Sequence, residues 1–239
     1  MPVFERDSIS LHYEEFGQGP AILLFAPGGM RSAMSFWDGR SPDPRKALSP
    51  HFRVIAMDQR NAGSSRAPIT GDDGWHSYSA DHLALLDHLG IERAHLLGMC
   101  IGGAFCLELA TTAPERVASA VMYQPIGLSP TNRPLFHELF DTWAQPRRKH
   151  HPGVDEAGWQ AFRARMYDGD FVFSVDRDAV RGCRVPLLVL MGDDDYHPEP
   201  TSREIVELAP DAELIERWKT PPDDDASMQR VTAFLHAHS

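Results

Sequence analysis

Six residues, Gly98-Met99-Cys100-Ile101-Gly102-Gly103, combine a thiol with the small residues that a sharp chain reversal needs. They follow the apolar segment AHLLG and open a stretch, Ile101 to Ala113, that is apolar nearly all round. Strand, tight turn and helix in that order place the central side chain at a helix amino terminus, and the flanking glycines let neighbouring backbone pass without a Cβ clash. Negative charge is favoured there, so a thiol pKa can fall from about 8.5 toward neutrality and Cys100 can act as a thiolate nucleophile. The plainer alternative is a small buried filler on a glycine turn. Cys106 lies about 120° further round the helix and Cys183 precedes a core strand, so both are expected to be inert.

Such a turn needs a rigid sheet behind it. Apolar runs recur with helical stretches between them, the pattern of a mostly parallel α/β sheet. Strands are expected at Ser8 to Glu15, Ala21 to Ala26, Arg53 to Asp58, Ala94 to Gly98, Ala118 to Gln124, Pro186 to Gly192 and Ala212 to Trp218. Helices are expected at Ser79 to Leu89, Ile101 to Ala113, Thr201 to Ala209 and Asp225 to Leu235, with Gly90, Pro114 and Pro210 as stops. From about Ile126 to Arg181 the rhythm breaks: Pro130, Pro134, Pro146 and Pro152 interrupt short aromatic-rich pieces. That segment is expected to be an inserted cap on a core formed by residues 1–125 and 182–239, against the alternative of a wandering connection packed on the core.

The chain has 239 residues, 42% of them hydrophobic, enough for one sizeable core and an ordinary globular composition. A formal charge of −11 has the wrong sign for a nucleic-acid binder. The longest apolar runs, AILLFA and PLLVLM, fall far short of the roughly 20 residues a membrane span needs. Three cysteines make no disulfide framework, and a reducing, cytoplasmic location is expected. No phosphate loop and no zinc-ligand spacing occurs, so neither cofactor nor metal is expected. The partner expected is a small-molecule substrate, with oligomeric state left open.

Three segments in order, PAILLFAPGGM, VIAMDQRNAGSS and GMCIGG, resemble the oxyanion loop, the D-x-R-G-x-G-x-S segment and the nucleophile elbow of the α/β-hydrolase superfamily, and the resemblance covers nearly the whole chain. It implies an α/β-hydrolase fold with a short helical cap. In that family the oxyanion donors are backbone N–H groups, one in the first loop and one after the nucleophile. The resemblance therefore assigns them to Met30 and Ile101, with Gly29 setting the loop geometry where Pro27 replaces the family's histidine. The family's acid follows the strand seen here as PLLVLMG. Counting forward from Gly192 selects Asp195, whereas counting back from Pro198 selects Asp194, which is preferred.

The family's histidine should follow the last strand, but that stretch reads Trp218-Lys219-Thr220-Pro221-Pro222-Asp223. Three substitutes stay open. His197, in the acid's own loop, can lean toward Cys100; Lys219 can hold a thiolate as a cation, or serve as a base if burial lowers its pKa; a histidine elsewhere, such as His76, His137, His150 or His151, is the third. With no base at all, a preformed thiolate still attacks a carbonyl, but releasing the acyl group loses roughly 10² to 10⁴ in rate. The expected function is a cysteine-dependent hydrolase of a small ester, lactone or thioester, with slow deacylation or acyl transfer. Its rivals are a binding protein that has lost turnover and a lyase or acid–base enzyme without a covalent intermediate.

Overall fold

The computed structural model describes residues 2–239. Its strands are β1 (Val3–Arg6), β2 (Ile9–Phe16), β3 (Ala21–Phe25), β4 (Arg53–Met57), β5 (Ala94–Met99), β6 (Val117–Tyr123), β7 (Leu187–Leu190) and β8 (Ala212–Ile215). Between them run α1 (Pro44–Leu48), α2 (Trp75–His88), α3 (Ile101–Thr112), α4 (Arg133–Arg148), α5 (Glu156–Tyr167), α6 (Arg177–Gly182), α7 (Glu199–Leu208) and α8 (Asp223–Ala237). The strands form one sheet in the order β1-β2-β4-β3-β5-β6-β7-β8. From β4 to β8 every pairing is parallel, while β1 and β2 pair antiparallel at one edge.

This is the mostly parallel α/β sheet that the sequence pattern implies. β5, β6 and β7 are buried along their whole length because helices cover both faces, which is why they read as unbroken apolar runs. One core cluster packs α2 to α7 on one face; the other packs α1 and α8 on the opposite face. The edge strand β1 was not expected. Four residues reading VFER alternate half-buried and exposed, too short and too charged to stand out, and they pair with β2 through a turn in which Asp7 takes a φ of 53°.

A second difference lies between β6 and β7, where the prolines were expected to break the chain into short pieces. α4 instead runs unbroken for 16 residues. Pro134 stands in its first turn, where no intrahelical N–H bond is lost, and Pro146 falls in its last, where a single bond is lost. Phe136, Phe140 and Trp143 line the buried side of α4, and Phe140 and Trp143 stack with Trp159 and Phe162 of α5.

Parallel strands deliver the loops after β3, β4, β5, β7 and β8 to one edge of the sheet, where ligands bind in open α/β sheets. Buried Asp58 ties two of these loops together, accepting from the Met34 amide at 2.8 Å and the Ser64 amide at 2.7 Å. The loop after β3 is fixed further by Ser32 Oγ donating to the Ala26 carbonyl at 2.6 Å and by the Gln59 amide donating to the Ser32 carbonyl at 3.0 Å.

The start of α3 lies against β5 so closely that a Cβ on Gly98 would overlap the Gly102 carbonyl and approach Cys106 Sγ to 2.9 Å. Gly98→Ala is expected to lower the urea midpoint with little change in slope, corresponding to about 1–3 kcal/mol of overpacking. An unchanged midpoint would show that the turn can relax.

Candidate active site

Cys100 is the residue between β5 and α3, with φ 61° and ψ −119°. A non-glycine residue at positive φ costs of order 1–3 kcal/mol and persists only where its surroundings over-determine it. Here they do. Its amide donates to the Tyr123 carbonyl at 3.0 Å, and its carbonyl accepts from Gly103 at 3.0 Å and Ile126 at 3.3 Å. The side chain is thereby turned out of the sheet at the head of α3, and it is partly exposed. Cys106 and Cys183 are buried in the core, and burial pushes both thiols up.

The loop after β7 carries both a carboxylate and an imidazole. His197 Nδ1 lies 2.8 Å from each carboxylate oxygen of Asp194. Asp194 Oδ1 also accepts from the backbone amides of Tyr196 at 2.9 Å and His197 at 3.0 Å, so a local turn aims the carboxylate at a ring three residues on. The far ring nitrogen, Nε2, is buried and without a hydrogen-bond partner among the described residues.

The charges are mutually reinforcing. Burial alone would raise the Cys100 thiol, but the neighbouring His197 imidazole, followed by the backbone N–H groups of Gly28 and Ile101, brings it below its ordinary 9.0. Burial would lower His197, but Cys100 and then Asp194 raise it above 6.5. Asp194 is lowered despite partial burial, chiefly by His197. A thiol going down beside an imidazole going up means that each group favours the charged form of the other.

The other expected residues separate cleanly. Lys219 pairs with Asp193 and its ammonium stands 5.4 Å from the Trp218 ring centroid; nothing ties it to Cys100. Asp195 offers its backbone carbonyl to Asn132 Nδ2 at 2.7 Å, while its carboxylate has no hydrogen-bond or ion-pair partner among the described residues. Met30 is buried in a short 3₁₀ turn, Gly29–Arg31, with its sulfur 3.9 Å from the Tyr78 hydroxyl. Gly29 takes a φ of 57° under Leu139 of α4, and the preceding Gly28 takes 120°, so this loop needs two residues without side chains. Ile101 is the first residue of α3, and its amide faces the sulfur. Of the remaining histidines, His137 pairs with Asp168 at 2.7 Å, and His151 packs edge-on to Trp159.

Two contributors carried no signal in the sequence. One is the Gly28 amide, because which N–H of a glycine pair turns toward the sulfur depends on backbone angles. The other is Asn132, buried at the start of α4: its Nδ2 donates to the carbonyls of Gly127 and Asp195, and its Oδ1 accepts from the Ser129 amide at 2.8 Å. It fastens the loop of Asp194 and His197 to the segment between β6 and β7. Tyr196 continues that contact by stacking edge-on with Phe136 of α4 at 5.6 Å.

The Asp194–His197 pair has a definite pH signature. His197 is raised, so its share of the stabilisation is complete below pH 6.5 and is lost as pH rises through the raised value. Asp194 is lowered, so its share is complete above pH 3.8 and is lost as pH falls through the lowered value. The thermal stability that Asp194→Asn removes is therefore expected to be greatest between those limits and to shrink on either side of them, as pH rises through the His197 value or falls through the Asp194 value. Half-exposure of Asp194 keeps the effect below about 1 kcal/mol. A deficit independent of pH would contradict the pairing.

A family profile described as the alpha/beta hydrolase fold matches residues 21–175. Among curated relatives, the chain is 37% identical over 114 residues to a protein of Variovorax paradoxus provisionally named carbamate hydrolase RutD, covering 47% of this chain and 41% of that one. It is 28% identical over 235 residues to 2-hydroxy-6-oxo-2,4-heptadienoate hydrolase of Pseudomonas putida, covering 86% and 83%. The first of these matches thus spans less than half of the relative's length. The crystal structure of the enol-lactonase from Burkholderia xenovorans LB400 superposes with a TM-score of 0.72 at 24% identity, covering 98% of this chain and 100% of that one. With the sheet architecture and a family profile over more than half of the chain in agreement, this protein belongs to the α/β-hydrolase fold family.

Proposed function

We propose that the chain is a small-molecule acyl hydrolase whose nucleophile is Cys100 and whose proton carrier is His197, oriented by Asp194. The observation that carries this reading is the lowered thiol of a partly exposed cysteine at a strained elbow, beside an imidazole anchored on its far side by a carboxylate. The chemistry follows from those groups. The thiolate Sγ adds to the acyl carbon, and the oxyanion that forms takes hydrogen bonds from the Ile101 amide and from the loop of Gly28, Gly29 and Met30. As the C–O or C–S bond breaks, the leaving group takes the proton from His197 Nε2, giving a thioester on Cys100 and a neutral imidazole. Water then attacks that thioester while Nε2 removes its proton, and the thiolate departs. His197 Nε2 has no other hydrogen-bond partner among the described residues, which suits it to this relay.

The substrate class is a small, partly apolar ester, lactone or thioester. Tyr167 and Phe173, stacked with Phe136, lie on the segment between β6 and β7, which we take as a cap giving the site an apolar ceiling. Related proteins named as a dienoate hydrolase and an enol-lactonase support acyl-type chemistry on small carbon skeletons. Lys219, held by Asp193, is assigned no step.

Mixing the protein with p-nitrophenyl acetate is expected to give a burst of p-nitrophenolate and, by intact mass, an acetyl group on Cys100. Cys100→Ala should abolish both. His197→Ala should leave a slow burst and reduce steady-state turnover by about 10²–10⁴. Undiminished turnover in Cys100→Ala would overturn the nucleophile assignment. Neither adduct nor turnover with esters, thioesters and lactones would favour a binding protein instead.

A further inference from the structure

A cavity of about 410 Å³ opens on the sheet face that carries α8, between the loop at 37–44, the ends of β5 and β6, and the first turns of α8. Its volume is that of a small-ligand pocket. Cys100 is not among its lining residues, and neither is any residue of α4 or α5. The catalytic geometry above makes no use of it.

Its walls are aromatic. Trp37, Tyr123 and Trp218 all line it, and Tyr123 and Trp218 meet edge to face at 5.1 Å, packed against each other as one aromatic wall. Its charge is one-sided. Arg40 and Lys219 line it and no lining residue is acidic, in a chain whose net charge is −11. Lys219 is shared with Asp193, but Arg40 donates only to the Phe36 carbonyl, at 2.9 Å, and has no carboxylate partner among the described residues. A guanidinium so placed favours an occupant that brings a carboxylate.

The walls also hold unspent hydrogen-bonding capacity. Trp37 Nε1 and Tyr123 Oη are buried polar atoms without a partner among the described residues. Indole N–H can only donate and phenol O–H donates readily, so both call for an acceptor. Buried polar groups are ordinarily paired, so an acceptor entering this cavity meets an unmet demand at two of its lining residues. Neither atom is reached by water as the side chains stand, so an occupant gains these bonds as both side chains shift toward the cavity.

We propose that this cavity is a second ligand site, for a small aromatic carboxylate whose ring packs against the wall of Trp37, Tyr123 and Trp218 and whose carboxylate accepts from Arg40, Tyr123 and Trp37. The site does not depend on Cys100 reacting. It does share a wall with the elbow, because Tyr123 lines the cavity while its carbonyl holds the Cys100 amide.

Benzoate is the probe, with benzamide as its uncharged counterpart, titrated calorimetrically into the full chain. The expected result is one benzoate per chain, with benzamide weaker by about tenfold or more and with similar losses in Arg40→Gln and Tyr123→Phe, each of which removes a hydrogen bond to a charged group. Cys100→Ser should bind benzoate as the wild type does, which separates this result from the fate of the hydrolase reading. Tyr123→Phe keeps the ring and removes only an unpaired hydroxyl, so it should fold normally, and its melting temperature verifies that. The proposal is overturned if benzoate does not bind at millimolar concentration, if benzamide binds equally well, if both substitutions leave binding unchanged, or if Cys100→Ser abolishes it.

Discussion

The left-handed backbone at Cys100 is the constraint on which the site rests. Nothing in a cysteine favours a φ of 61°; the conformation is imposed by the Tyr123 carbonyl on one side and by the close approach of α3 to β5 on the other. Once imposed, it fixes the rest. The first amide of α3 turns toward the sulfur, and the loop after β3, itself bent by Gly28 and Gly29, brings a second amide to it. Helix and loop together create a place where negative charge is favoured, and the imidazole of His197 supplies the counter-charge.

The pairing of acid and histidine within one loop changes how the site is held. When two loops carry these groups, each must be positioned separately. Here Asp194 and His197 are three residues apart and share a turn closed by two backbone amides, so orienting one orients the other. The loop after β8 serves elsewhere. Trp218 donates from Nε1 to the Met191 carbonyl at 2.8 Å, Lys219 pairs with Asp193, and both side chains wall the cavity beside the elbow. Asn132 links the acid–histidine loop to α4, so a displacement of α4 would be felt at His197 through a buried amide side chain.

Much of the framework was legible because burial writes directly into composition. β5, β6 and β7 are apolar along most of their length because both their faces are covered, and α3 is apolar nearly all round because it packs among sheet and helices. The charged edge strand β1 had no such mark, and α4 was masked by prolines at the two places in a helix that tolerate them. At the site, residue type and order pointed to Cys100 and narrowed the acidic loop to Asp194 or Asp195, with Asp194 preferred, but left open whether His197 or another group was its partner. Turn geometry brings Asp194 to His197: Asp193 is drawn to Lys219, and Asp195 is anchored by its carbonyl. Contributions from backbone, such as the Gly28 amide, leave no trace in residue identity.

The central claim is that Cys100 is a thiolate-forming group held so by His197. Its most direct test is the pH dependence of alkylation by iodoacetamide, followed by intact mass and mapped to Cys100, in the wild type and in His197→Gln. The account predicts that Cys100 reacts with an apparent pKa below its ordinary 9.0 and that His197→Gln moves the profile upward. A profile at or above that value in the wild type, unmoved by the substitution, would contradict it.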